Sequence, residues 1–364
     1  MKVGIFTPYD LSHEGGVNRH ARALARALER CGHAARVVGP ASGAVPEGCE
    51  GLRGVVPIRA NGSVARIGLF TSRRAVAGIL ERERFDLLHV HEPLVPGPAR
   101  LALRLASVPV VATFHANSER EVPLLALVRR IGAVGLSRIA HGIAVSREAK
   151  RFSRVIYRGR TAVIPNGVEL AHYGAAIRPV DRSAPISAPL EVLFVGRFGE
   201  ERKGLPVLLD AASRLVTSGR AVALTVIGDG PAERFEAAGR RANARFLCRV
   251  GEREILDALA RCDVFCAPSL FGESFGMVVV EAMAAGCPVV ASDIPGYAEA
   301  ARGAALLVPP GDAAALAEAL WRVGQDGPLR ARLAARGVAR AQVLDWSRVA
   351  EHVLRIYRRA GVRE

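Results

Sequence analysis

The chain has 364 residues, half of them apolar, 5% aromatic and 23% charged, with a formal net charge of +15. That length exceeds one core and suits two domains of about 150–200 residues each. The composition is globular with no disordered tail, and the lack of any uninterrupted apolar run of about 18 residues excludes a transmembrane helix.

The charge is uneven. Residues 1–180 hold 26 Lys and Arg against 13 Asp and Glu, and the remainder holds 24 against 22. A basic first half suggests an anionic partner, such as a phosphorylated substrate or an anionic membrane. Nucleic-acid binding rests on charge alone and lacks aromatic interleaving, so no nucleic acid is expected. The six cysteines form no Cys-x-x-Cys pair and read as small core residues in a reducing cytosol. Met1 opens directly onto a strand, so no signal peptide is expected.

In chain order, Lys2–Thr7 reads as a buried strand, and the loop 8–16 leads into a helix from Val17 to about Cys31. Further strands are predicted at 35–38, 87–91, 110–114, 142–146 and 162–165. Strands alternating with helices at this spacing predict a doubly wound parallel sheet, whose ligand crevice lies beyond the carboxyl ends of the strands. Residues 177–190 hold three prolines and no periodicity, and are assigned to a linker. A second alternation follows, with strands at 190–196, 222–228, 245–247, 264–267, 288–292 and 306–308. Trp346–Arg359 closes the chain as an amphipathic helix, with Asp345 as its candidate cap.

Several stretches carry chemistry. Gly15-Gly16 opens the first helix, either to let backbone approach a phosphate or to make a tight turn. In His89-Val-His91 the two rings share one strand face, but a third ligand at ordered spacing is missing. No Asp-x-Asp occurs, and no metal is expected. His115 ends the strand 110–114, as a crevice residue or as a satisfied core histidine. In Gly196–Gly204, Arg197 and Lys203 can meet through the loop and neutralise a diphosphate, whereas Arg202 reads as surface charge. Gly272–Glu281 is the centre of the second half. Glu273 and Glu281 bracket a strand-to-helix loop, Ser274–Gly276, whose free amides suit a phosphate. Glu281 is expected about two turns, or roughly 12 Å, along a helix from Glu273.

The pattern Glu273, seven residues, Glu281, then Ala282-Met-Ala-Ala-Gly286 resembles the signature of retaining nucleotide-sugar glycosyltransferases of family 4. The resemblance implies an α/β protein of GT-B fold, with two Rossmann-like doubly wound parallel-sheet domains facing a cleft. These would be residues 1–178, an acceptor- and membrane-facing domain, and 190–345, a nucleotide-sugar domain. The helix 346–364 would pack back on the first domain. It further implies that His115 and Glu273 contact the transferred sugar and Glu281 the ribose. Arg197 and Lys203 would meet the diphosphate, with Gly16 touching diphosphate and acceptor and Val250 lying by the base. The backbone of Ser274, Phe275, Gly276, Met277 and Val278 would cradle sugar and phosphate.

Asn61–Arg66, Leu88–Pro93, Ala112–His115, Ile143–Ser146, Glu201–Gly204 and Gly272–Gly276 together resemble, within that family, actinobacterial phosphatidylinositol α-mannosyltransferases. By that likeness Asn61, Ser63 and Arg66 hold an inositol phosphate head, with Tyr9 beside it. The chain departs from this pattern at the polybasic helix, where Thr71–Leu80 keeps only Arg73 and Arg74 as membrane contacts. The apolar Val122–Arg130 reads as a core helix or an interfacial segment. The expectation is a metal-independent, cofactor-free mannosyltransferase using GDP-mannose and phosphatidylinositol, monomeric and peripheral on the inner face of the cell membrane. Its alternatives are a family 4 enzyme with a UDP-sugar and another acceptor, or a nucleotide-sugar-binding protein without turnover.

Overall fold

The computed structural model describes residues 1–60, 63–116, 135–174, 182–186, 189–248 and 250–362. The expected acceptor residue Asn61, the stretch Val122–Arg130, Arg249 next to the expected base neighbour Val250, and half of the 177–190 linker lie outside those residues. The chain forms two units, one of Met1–Gly167 with Trp346–Glu364 and one of Val168–Asp345.

In the first unit seven parallel strands run in the order β3 (Cys49–Leu52), β2 (Ala34–Pro40), β1 (Lys2–Phe6), β6 (Leu87–His91), β7 (Val110–Phe114), β8 (Ile139–Ala144) and β9 (Thr161–Val163). A separate antiparallel hairpin joins β4 (Val56–Ala60) to β5 (Ser63–Ile67). The helices are α1 (Gly16–Arg30), α2 (Arg73–Glu83), α3 (Pro98–Leu105) and α4 (Arg147–Ser153). Strands β6 and β7 are buried along their whole length. A parallel strand covered on both faces reads as an unbroken apolar run, which is why the expected strands coincide with these. Alternation then sends Leu88 and Val90 to one face, packed with Val76 and Ile79 of α2 and Ala99 and Leu103 of α3. Leu87, His89 and His91 go to the other.

The second unit carries six parallel strands in the order β12 (Ala244–Leu247), β11 (Val222–Ile227), β10 (Leu190–Val195), β13 (Val264–Ala267), β14 (Val289–Ser292) and β15 (Leu306–Val308). Its helices are α5 (Leu170–Gly174), α6 (Leu205–Thr217), α7 (Glu236–Arg241), α8 (Glu252–Arg261), α9 (Met277–Ala284), α10 (Pro295–Ala301), α11 (Ala313–Gln325) and α12 (Gly327–Val343). Val168 N–H donates to Leu344 O at 2.8 Å, and Leu170 N–H to Asp345 Oδ2 at 3.2 Å, so the two ends of this unit lie side by side. All six cysteines are free thiols; Cys262, Cys266 and Cys287 are buried, but Cys31 and Cys248 are exposed and are not core residues. Both exposed thiols sit at element ends, where no second layer covers them.

The last helix, α13 (Trp346–Arg359), belongs to the first unit. Its apolar stripe of Trp346, Val349, Val353, Leu354 and Tyr357 packs with Leu24 and Leu28 of α1 and with Leu87 and Val111 of the sheet. Tyr357 is fully buried, and its hydroxyl lies 2.6 Å from His89 Nδ1. His89 Nε2 is in turn 2.6 Å from Thr113 Oγ1, so both ring nitrogens of this buried histidine are partnered. Tyr357→Phe should leave His89 Nδ1 unpaired and cost about 1–3 kcal/mol. The expected outcome is a lower urea midpoint for loss of the first unit, with no change in that of the second.

Candidate functional site

In the second unit the expected residues of two distant loops meet on one carboxylate. Glu273 Oε1 accepts from Lys203 Nζ at 2.6 Å, from Arg202 Nη1 at 2.9 Å and from Ser269 Oγ at 3.3 Å. The Tyr297 hydroxyl lies 2.7 Å from Ser269 Oγ and completes this buried polar chain. Arg202 Nη2 also pairs with Glu200 at 2.6 Å, and Arg197 Nη1 with the other Glu200 oxygen at 2.9 Å. Arg197 and Lys203 are thus joined through Glu200, Arg202 and Glu273. The loop brings the two expected cations into one network, with carboxylates between the like charges. The network corrects the reading of Arg202 as surface charge: its side chain is only 16% exposed, against 57% for Arg197. Burial drives the Glu273 pKa upward, but the charges and hydrogen bonds of Lys203 and Arg202 outweigh it and hold the carboxyl below its ordinary value.

Two glycines make this approach possible. Gly204 has a φ of +70°, and a Cβ there would stand 1.9 Å from Pro268 O. Its close passage lets the Lys203 turn lie against the strand-end loop, where Leu270 N–H bonds Arg202 O at 2.8 Å. Gly276 has a φ of +90° and lies against the Tyr297 ring, with a would-be Cβ 2.4 Å from it. Helix α9 starts immediately after, without a side-chain cap. Its first amides therefore emerge beside half-buried Ser274, Met277 and Val278, whereas the Phe275 side chain is buried in the core. Because the helix begins at Met277, Glu281 lies one turn into it and Glu273 in the loop before it. The expected two-turn separation is corrected: the helix cannot start earlier than the left-handed glycine. Val250 is half-buried in the turn before α8, where Gly251 N–H donates to Glu254 Oε2 at 2.7 Å.

The first unit seats Tyr9 against its hairpin, whose second strand carries Ser63 and Arg66. Tyr9 forms an antiparallel bridge with Ile67, and Asp10 N–H donates to Arg66 O at 3.0 Å. The loop after β1 is thereby seated on β5, the strand that carries Ser63 and Arg66. Burial, reinforced by the negative charge of Glu92, pushes the Tyr9 hydroxyl pKa upward. Arg66 is exposed, as are Arg73 and Arg74 in the first turn of α2. Around them Ile58, Val64, Leu69 and Phe70 are large apolar side chains in solvent, Phe70 being 75% exposed. Gly16 begins α1, and a Cβ at Gly15 or Gly16 would meet nothing within 4 Å, so packing does not explain this pair. A hollow of about 530 Å³ lined by Leu136, Val155, Tyr157 and Arg158 also lies in this unit, and it contains none of the expected site residues.

His115 stands at the end of β7 in a cluster that spacing did not reveal. Its Nε2 is 2.8 Å from His91 Nδ1, and the His20 ring meets it edge-on at 4.8 Å. Burial lowers the pKa of all four clustered histidines, to about 4 for His20 and about 3 for His89, and well below the ordinary value for His91 and His115. They are neutral imidazoles at neutral pH. The buried Glu92 carboxylate accepts from the backbone N–H of His115 and, at 2.7 Å, from that of Ala116. Burial raises its pKa to about 7, against the pull of those two bonds.

Glu200, Ser269, Tyr297, Glu92 and His20 belong to these constellations and were not singled out from the sequence, and Arg202 was set aside as surface charge. Tyr297 and Ser269 lie 28 residues apart and carry no local pattern. The alternation Glu200-Glu-Arg202 was the one available signal, because a loop with opposite charges two apart can bridge outward in both directions.

Two parallel-sheet α/β units and a Lys–Glu–Arg cluster beside an uncapped helix define a GT-B glycosyltransferase. The chain belongs to glycosyltransferase family 4: the family profile described as "Glycosyltransferase Family 4" matches residues 14–172, and that of "Glycosyl transferases group 1" matches residues 189–326. It is 39% identical to the phosphatidyl-myo-inositol mannosyltransferase of Mycobacterium tuberculosis H37Rv, over 98% of this chain and 96% of that one. To the protein of the same name from Propionibacterium freudenreichii it is 34% identical, over 99% and 96%. Among solved structures, HepE of Anabaena in complex with UDP and glucose superposes with a TM-score of 0.76 at 22% identity, covering 98% of this chain and 99% of that one. The protein is accordingly an enzyme of the hexosyltransferase class.

Because the Glu273 pKa is lowered by folding, its contribution to stability is complete above the ordinary carboxylate value of 4.5 and is lost as pH falls through the depressed one. The thermal midpoint of the second unit should drop on acidification from about pH 6 toward pH 3. Glu273→Gln should flatten that acid limb, as read by calorimetry; an unchanged slope would remove Glu273 from its cause.

Proposed function

We propose that the enzyme transfers mannose from GDP-mannose to phosphatidylinositol with retention of configuration, at the inner face of the cell membrane. The observation that carries this reading is the Glu273 carboxylate held by Lys203 and Arg202, in a chain that matches phosphatidyl-myo-inositol mannosyltransferases over nearly its whole length. Lys203, Arg202 and Ser269 all donate to Glu273 Oε1, and among the described residues no donor is seen on Oε2. That oxygen takes the hexose hydroxyls. Lys203 and Arg197 meet the negative charge that develops on the departing diphosphate, and the amides of Ser274 to Val278 hold the phosphate at the N-terminus of α9. Glu281 hydrogen-bonds the ribose, Val250 borders the base, His115 contacts the hexose and Gly16 lets the backbone approach the diphosphate.

The bond from the hexose anomeric carbon to the diphosphate oxygen breaks as the inositol hydroxyl oxygen bonds to that carbon. The hydroxyl proton passes to the leaving phosphate oxygen on the same face, GDP departs, and no enzymatic nucleophile or metal is required. Tyr9, Asn61, Ser63 and Arg66 hold the inositol phosphate, for which an arginine fork is well matched. Membrane contact is supported by Arg73 and Arg74 in the first turn of α2. Cations there oppose the helix dipole, so an external anionic surface gives them a use. Exposed Phe70 and Leu69 beside them add apolar contact. No helix among the described residues is long and apolar enough to cross a membrane.

The deciding experiment is product analysis with a panel of GDP- and UDP-sugars against vesicles of different phospholipids. The expected products are mannosyl phosphatidylinositol of retained anomeric configuration and GDP; transfer from UDP-sugars alone, or donor binding without turnover, would overturn the reading. Lys203→Ala and Glu273→Gln should each lower kcat by roughly 10²–10³-fold with the fold intact by circular dichroism. Gly16→Ala should leave stability equal or raise it by about 0.4–1 kcal/mol while raising KM for the donor. Replacing Arg73 and Arg74 by alanine should weaken binding to anionic vesicles about fivefold per residue without altering affinity for GDP.

A further inference from the structure

Four histidines share the face of the first sheet that α1 and α13 cover, and they are not equivalent. His89 is a satisfied core histidine, held on one nitrogen by Tyr357 and on the other by Thr113. His20, His91 and His115 form a different set, with one coordinating nitrogen of each lying within 4.8 Å of the other two. Among the described residues, His20 Nδ1 and His91 Nε2 are buried ring nitrogens without a well-formed hydrogen bond, although the Asn166 side chain lies close enough to act on His20. An unpaired buried polar atom is costly, and two of them in one cluster favour a ligand that would pair both.

We propose that His20, His91 and His115 form a three-imidazole site for a borderline transition-metal ion such as Zn²⁺. The ligand chemistry selects the ion. Imidazole nitrogen suits Zn²⁺, Ni²⁺ and Cu²⁺, and three neutral rings give Mg²⁺ none of the oxygen ligands it needs. An ion held at about 2.0–2.1 Å from each nitrogen needs the three to draw inward by small ring rotations. The surroundings hold the rings for this. His89 stacks under His91 with centroids 4.7 Å apart, the Trp346 ring stands 5.0 Å from that of His20, and Glu92 anchors the backbone of His115. His20 and His115 each keep 8% of their surface in solvent while His91 is closed, so the ion enters past the first two.

A consequence rests on the role given above to His115. An ion that engages its ring withdraws it from the hexose, so Zn²⁺ inhibits transfer and Mg²⁺ leaves it unchanged. The site is a place of inhibition, and the sugar chemistry itself stays metal-independent.

The test uses the full-length protein stripped with chelator and kept reduced. Zn²⁺ is titrated against a chromogenic chelator for the wild type, His20→Asn and His91→Gln. The expected result is one tight equivalent in the wild type, lost in both variants, and a Zn²⁺-dependent rise in melting temperature seen only in the wild type. Retention of that equivalent in both variants would overturn the proposal. Should either variant fail to melt cooperatively, X-ray absorption at the zinc edge of the wild type decides. A nitrogen-only shell with histidine scattering supports the site, and a sulfur-containing shell or no bound zinc overturns it. Inhibition is then measured on each variant's own rate. Tight binding without inhibition would keep the metal site and count instead against His115 as the hexose contact, so the two ideas fail separately.

Discussion

A carboxylate withdrawn from water stays ionised only if positive charge goes in with it. Glu273 meets that condition through Lys203 and Arg202, which arrive from a loop about seventy residues earlier in the chain. The rest of the second unit is arranged to permit the meeting. Gly204 passes within contact of the Pro268 carbonyl, Gly276 yields to Tyr297, and Ser269 supplies a third donor. A buried ion pair contributes little net stability compared with an apolar pair of the same size. Its value here is positional. It holds one carboxylate oxygen in place beside helix amides that favour negative charge.

The first unit solves a different problem, that of placing polar groups on a sheet face which must also be a core. Its solution is to neutralise them. Buried imidazoles are kept uncharged, Tyr357 and Thr113 satisfy His89 completely, and Glu92 is supplied with two backbone donors. The hairpin β4–β5 stands apart from that sheet and takes the opposite course, exposing arginine and apolar side chains together. The two surfaces suit the two kinds of partner in the proposed function, a compact polar sugar and an extended lipid surface.

Much of this was legible in the sequence, and the limits have physical causes. Buried parallel strands write themselves as apolar runs, so β1, β6, β7, β10, β13 and β14 fell where the residues placed them. The Glu273–Glu281 spacing is local and survives translation into a loop and a helix, although the start of the helix depended on the left-handed conformation of Gly276. What escaped was long-range or cross-strand. Arg202 looks like any surface arginine until Glu200 and Glu273 are found on either side of it. His20, on a helix, could not be matched to two strands by spacing. The hairpin was missed because Pro57, inside the alternating Val56, Ile58 and Ala60, argues against a strand, and β5 sets Val64 and Ala65 side by side.

The position of α13 bears on how the protein is made. The helix that closes the first sheet is translated after the whole second unit, so at about 5–20 residues per second the ribosome delivers it roughly 10–35 s after Gly167. During that interval Leu24, Leu28, Leu87 and His89 lack their covering layer. The nascent N-terminal sheet must wait, partly open and open to chaperones, while the domain encoded between its two halves folds first.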